Sequence, residues 1–180
     1  MSDVPLARYR FRRSVLEKER TYSLYGDRIV VEGEDLAPQV VLLADVQRVH
    51  LKYEHTKQRE YYQCFVHTRR GRIDLRHVHW VGFAEFHDRR AEYTPFVKAL
   101  LVELARVPGV RFQGGSMTNF VSAIAGVPVM AGLAWLCFTL HRYGLAMFAG
   151  FMGGIALLMI GPSRPRQFDP LAAPADLLPE

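Results

Sequence analysis

One stretch constrains this chain more than any other: from Asn119 to Gly161 it carries a single charged residue, Arg142. Residues 1–118 hold 20 of the 23 Lys and Arg and 15 of the 18 Asp and Glu. The near-neutral mean hydropathy of −0.01 therefore averages over two unlike segments. A soluble domain spreads charge along all its surface elements, so this partition predicts a charged module joined to a membrane segment. About 110 residues suffice for one small core and not for two domains.

The uncharged part divides at His141-Arg142-Tyr143-Gly144. From Phe120 to Leu140 there are about 21 helical residues, roughly 31 Å long, and from Tyr143 to Gly161 about 19, roughly 28 Å. Both lengths suit a bilayer, and Pro128 inside the first run is tolerated there because neighbouring groups re-satisfy the freed carbonyl. Two helices that are apolar all round are more than 118 residues can cover, so the pair reads as a two-helix transmembrane hairpin. Its turn is short and polar. Arg106 and Arg111 precede the first span and Arg164 and Arg166 follow the second, against Arg142 alone in the turn. That asymmetry predicts both termini in the cytoplasm. The opening MSDVPLARYRFRR lacks the apolar region of a signal peptide and carries no lipidation pattern, so neither is expected. Ala146, Gly150 and Gly154, with Ala149 and Gly153 alongside, predict close helix packing, against the first span or within a homo-oligomer.

In the charged part the period is that of strands. Thr21–Tyr25 and Arg28–Glu32 flank a Gly26-Asp27 turn; Val40–Leu43 and Val46–Tyr53 follow, broken near Ala44-Asp45. Tyr61–Thr68 alternates Tyr62, Cys64 and Val66 with Tyr61, Gln63, Phe65 and His67, and after Arg69-Arg70-Gly71 the run Arg72–Val78 places Ile73 and Leu75 on one face. A further piece is expected around His79–Phe83. From Thr94, Phe96, Val97, Leu100, Leu101 and Leu104 recur as one helical face, with Thr94 suited to cap and Pro95 to open the helix. Val107-Pro108-Gly109 ends it. Antiparallel strands followed by one amphipathic helix make an α+β arrangement. The expected divisions are a domain over 1–112, a linker over 113–118, the hairpin over 119–161 and an extended Pro-rich tail over 162–180, which Phe168, Leu171, Leu177 and Leu178 are suited to pin.

The strand order with tight hairpins, the stretch LADVQRVHL from Leu43 to Leu51, the hairpin CFVHTRRG from Cys64 to Gly71 and the single terminal helix resemble the pleckstrin-homology-like (PH-like) fold. More narrowly, the chain is similar to a group of bacterial membrane proteins in which such a domain precedes two transmembrane helices; PRQFDP from Pro165 to Pro170, then LAAPADLLP, carries that similarity through the tail. The resemblance implies a bent antiparallel sheet or barrel closed by one C-terminal helix, at the inner membrane. PH domains of known role bind phosphorylated lipid headgroups or proteins, usually through a basic loop between the first two strands. Here the first hairpin, Tyr25-Gly26-Asp27-Arg28, is short with an acidic tip, and departs from that pattern.

Chemistry-bearing motifs are sparse. There is no HExxH, GxSxG or phosphate-cradling glycine loop, so no enzymatic activity and no cofactor are expected. His77 and His79 stand two apart, a spacing that puts both on one strand face, and His87-Asp88 is near in sequence; a metal-dependent enzyme or sensor at this pair is the alternative reading. Cys64 and Cys137 read as free buried thiols. The net charge of +5 resides in residues 1–118, but basic and acidic residues alternate there (EKER, KQRE), which speaks against nucleic acid. Attraction to an anionic leaflet, about 1 kcal/mol per basic residue near the surface, is the better use of the excess. Arg111, Arg164 and Arg166 lie near the spans; Arg69, Arg70 and Arg72 cluster in a later hairpin, with Lys52, Lys57 and Arg59 elsewhere. The expected partners are the bilayer and a protein.

Overall fold

A computed structural model describes residues 4–34, 36–56, 59–82 and 85–179. The chain is α+β and divides into two units, one comprising residues 1–114 with 167–180 and the other residues 115–166. Lys57 and Phe83 lie outside the described residues.

In the first unit, β1 (Ala7–Phe11), β2 (Arg20–Leu24), β3 (Arg28–Gly33) and β4 (Leu36–Leu42) form an antiparallel meander. A one-turn 3₁₀ segment, Leu43–Asp45, then starts a second sheet. Its strands β5 (Val46–Thr56), β6 (Arg59–Thr68) and β7 (Gly71–Arg76) are antiparallel. A small hairpin of β8 (Val78–Gly82) and β9 (Glu85–Asp88) leads into helix α1 (Arg90–Ala105). After α1, β10 (Arg111–Gly114) pairs parallel to β5, and β11 (Arg166–Gln167) adds beyond it, so the sheet order is β11-β10-β5-β6-β7. The second sheet is thus mixed, and no closed barrel forms among the described residues: the strands divide into sheets of four, five and two.

The core lies between the sheets and α1. Alternation sends Val49, Leu51, Cys64, Val66 and Leu75 inward, and the helical face Phe96, Val97, Leu100, Leu101 and Leu104 meets them. The helix starts at Arg90 rather than Thr94, which puts Pro95 inside its first turns. Two contacts explain the earlier start. Tyr93 is fully buried and meets Tyr9 edge-on, ring centroids 5.9 Å apart, while the Asp88 carboxylate accepts from Arg90 N–H at 3.0 Å. Strand β1 was not apparent in the alternation, yet it delivers Tyr9 and Phe11, both 1% exposed, to the centre.

The C-terminal segment does not run on as a free tail. Phe168 N–H donates to Phe112 O at 3.3 Å and its ring meets Phe112 edge-on. Asp169 then caps a 3₁₀ turn, Pro170–Ala172, by accepting from Leu171 N–H at 2.9 Å. Leu177 and Leu178 end in the core at 3% and 4% exposure, and Thr94 Oγ1 donates to Pro179 O at 3.0 Å. Leu171 stays exposed.

The second unit is a pair of packed helices, α2 (Met117–Thr139) and α3 (Tyr143–Ser163). Ser116 caps α2 by accepting from Asn119 N–H at 3.3 Å. The turn closes with His141 in the left-handed region at φ 56° and Arg142 N–H donating to Cys137 O at 2.8 Å, a Schellman-type stop. Helix α2 is long and apolar enough, over Asn119–Thr139, to cross a membrane. The described apolar stretch of α3, Tyr143–Leu158, is shorter.

At Gly114 an added Cβ would lie 2.2 Å from Leu177 Cδ1. Gly114→Ala should therefore lower stability by about 1–3 kcal/mol through overpacking, and Leu177→Ala by about 2–5 kcal/mol through a cavity. Denaturant melts of the two variants and the double variant test the contact: Gly114→Ala should cost less when Leu177 is already Ala, and strict additivity would contradict it.

Candidate functional site

Strand register assembles a site that no linear motif displays. Arg111 of β10 aligns with Arg48 of β5, Arg48 with His67 of β6, and His67 with Arg72 of β7. Residues in register on neighbouring strands share a face, about 4.8 Å apart, so four basic side chains cross the sheet in a row of roughly 14 Å. The opposite face at these strands is the core, with Val49 and Val66 fully buried. Contacts bear out the row. The Arg72 guanidinium lies over the Phe65 ring, 4.8 Å from its centroid, and Phe65 meets His50 at 6.0 Å. His67 is held below the ordinary histidine range first by partial burial and then by the positive charges of Arg48 and Arg72.

At the Arg111 end of this row the surface sinks into a groove of about 660 Å³. Gln47, Arg48, His67, Thr68, Arg69 and Arg111 line it, with Pro108-Gly109 as one wall. Gly109 takes φ 86°, a left-handed conformation that lets the chain turn from α1 into β10. Arg69 is brought in by the β6–β7 turn, where Thr68 Oγ1 accepts from Arg70 N–H at 3.3 Å and Gly71 N–H at 3.1 Å. Neither Asp nor Glu is among the described lining residues.

Elsewhere on this unit several arginines are paired with carboxylates. Arg10 pairs with Glu19, Arg13 with Glu17, Arg76 with Asp74, Arg90 with Glu60 and Asp88, and Arg106 with Glu103. Arg48, Arg69 and Arg111 make no ion pair among the described residues. Like charges directly opposite on adjacent strands destabilise a sheet, so the Arg48–Arg111 register is unfavourable without a counter-charge.

The six arginines expected to face anions therefore separate. Arg69 and Arg111 meet in the groove, Arg72 is stacked on Phe65, and Arg70 stands exposed at the turn. Arg164 and Arg166 are exposed near the end of α3. Arg48 and His67 were not singled out in the sequence. The signal for them is the parallel β5–β10 alignment, which periodicity does not encode.

The histidine pair is not one site. His77 lies at the junction of β7 and β8, 2% exposed, with Nδ1 3.1 Å from Tyr62 N and 3.2 Å from Tyr62 O. His79 Nδ1 instead accepts from Arg12 N–H at 3.1 Å and lies 3.8 Å from Glu19. His87 is in register with His79, while Asp88 is engaged by Arg90. Among the described residues no three His, Cys, Asp or Glu side chains come together as metal ligands. Cys64 is fully buried, and burial pushes its thiol up to about 12, which leaves it unreactive at neutral pH.

The small residues of α3 also divide. Ala149 is 1% exposed, a Cβ on Gly153 would lie 3.4 Å from Met130 Cβ, and one on Gly126 would lie 3.8 Å from Ala156 Cβ, so small residues of both helices sit at their contact. Gly150 and Gly154 have open space where a Cβ would stand.

Burial lowers the pKa of His77, His79 and His67 below the ordinary 6.5. A base whose pKa is lower folded than unfolded contributes stability that is full above the unfolded value and is lost as pH falls below it. The melting temperature of the α+β unit should therefore fall as pH is lowered from about 7.5 to about 5.5. In NMR titration the His77 imidazole should show a midpoint below 6.5; a midpoint at or above that value would contradict its buried setting.

No family model, no curated protein and no solved structure matches the chain.

Proposed function

We propose that this is a non-enzymatic integral protein of a bacterial inner membrane, in which α2 and α3 form a two-pass transmembrane hairpin. The α+β unit, read as a PH-like domain, stays on the cytoplasmic side with both termini and docks a protein partner or the anionic lipid surface. One observation carries the reading: α2 is apolar over 21 residues, yet only 11% of its span is buried within the protein. The core helix of a soluble protein would be covered, whereas Trp135, Phe138, Met147, Phe151 and Leu158 all present apolar surface outward. A contiguous apolar surface of this extent marks a membrane or partner contact.

The path of the chain supports two crossings rather than one. It leaves the α+β unit at Gly114 and rejoins it at Gln167, beside the bond from Phe168 N–H to Phe112 O. A segment that departs and returns at adjacent strands crosses a bilayer an even number of times, and α3 spans 21 residues. Four arginines flank the pair and one sits in its turn, which favours cytoplasmic ends. The PH-like reading draws on the antiparallel meander, the second sheet and the single helix packed on β1. The exposed basic row of the second sheet suits an anionic or acidic counterpart.

Membrane extraction and topology reporters test this directly. The full chain should resist extraction from membranes by alkaline carbonate. A reporter fused at Glu180 should be active in the cytoplasm, and one inserted after Arg142 should be active outside. Release by carbonate, or both reporters on one side, would overturn the proposal.

A further inference from the structure

We propose that the groove at the Arg111 end of the basic row is a binding site for a diphosphate-bearing ligand, gripped by the guanidinium groups of Arg48, Arg69 and Arg111, with His67 at its edge. The argument begins with the register. Two arginines aligned directly on neighbouring strands repel one another. A third enters from the β6–β7 turn, and no carboxylate lines the groove among the described residues. Sequences that tolerate such a cluster on a rigid sheet leave it short of counter-charge, and an anionic ligand supplies it.

Charge and shape narrow the class. Guanidinium groups present planar pairs of donors that match phosphate oxygens bidentately, and they hold their charge at every physiological pH. Three of them exceed what one phosphate monoester, at about −1.5 to −2, neutralises; a diphosphate balances them. The volume of about 660 Å³ lies within the range of small-molecule sites and leaves room for a group attached to the diphosphate. The residues sit on β5, β6 and β10 and on the turns beside them, so the donors are held by paired backbone rather than by a long loop. Arg28, in the Gly26-Asp27 hairpin, is by contrast paired with Asp27 at 3.1 Å.

This inference deepens the anion-contact part of the proposed function and is independent of its membrane part, because every groove residue belongs to the first unit. The test uses the full chain in uncharged detergent, titrated with inorganic pyrophosphate by calorimetry, with the His67 imidazole followed by NMR. Saturable one-site binding is expected, at least tenfold tighter than for inorganic phosphate or sulfate, with a shift at His67. Arg48→Gln with Arg111→Gln should weaken it at least tenfold without lowering the melting temperature. Arg8→Gln with Lys98→Gln, which removes the same charge from distant exposed positions, should leave it unchanged. Absence of saturable binding, or equal loss in both double variants, would overturn the site.

A second arm identifies the source of the diphosphate group. The chain is reconstituted in phosphatidylcholine vesicles carrying either a lipid with a diphosphate headgroup or, at equal surface charge, phosphatidylglycerol. If the diphosphate lipid alone weakens pyrophosphate binding at least tenfold, the groove takes a lipid diphosphate headgroup; if the two vesicles give the same affinity, its ligand is a soluble diphosphate. Failure of the membrane reading would appear in carbonate extraction and leave the detergent titration intact.

Discussion

The seating of Leu177 against Gly114 is the contact on which the other features of this chain depend. It buries the end of the polypeptide in the core of the unit that the chain left at Gly114. Because the residue at 114 has no side chain, the leucine occupies the space where a Cβ would stand on β10. The parallel pairing of that strand with β5 puts Arg111 beside Arg48 at the basic groove. The same return brings Gln167 beside β10, the strand from which the chain departs. One leucine–glycine contact thus joins the strand that lines the proposed ligand site to the returning C-terminal segment.

The distribution of charge works alongside that contact. In the α+β unit, acidic residues engage several arginines in local pairs, worth little individually at exposed positions, and leave one sheet face basic. In the helical unit charge is nearly absent, and the packing relies on Ala149 and Gly153, which let α3 approach α2 closely. Close packing of this kind buries little of each helix, so the outward faces remain apolar. The two units therefore differ in charge, and α2 leaves most of its apolar surface uncovered within the protein.

Much of the fold was legible in the sequence wherever one physical period dominated. Alternation over Val46–Tyr53 and Tyr61–Thr68 located β5 and β6, and the spacing from Phe96 to Leu104 located the buried face of α1. Strands β1, β9, β10 and β11 were missed. Each is two to five residues long, too short for a period, and β10 and β11 are defined by partners distant in sequence. The start of α1 was misplaced because Pro95 and Thr94 carry strong local signals for a helix opening, and the packing of Tyr93 on Tyr9 outweighs them. The tail misled through its prolines, although its leucines were the correct signal. The candidate site was less legible than the fold. Arg69 was noted within the Arg69, Arg70 and Arg72 cluster and Arg111 for its closeness to the first span, but their convergence with Arg48 follows from register, and His77 and His79 share a spacing without sharing a site.

Hydrogen exchange of the full chain in lipid nanodiscs tests the central claim most directly. The account predicts slow exchange across 119–139 and 143–158 together with protected amides at Phe168 and Leu177, whose N–H groups donate to Phe112 O and Pro174 O. Coil-like exchange throughout 167–179, or unprotected amides within either apolar helix, would contradict it.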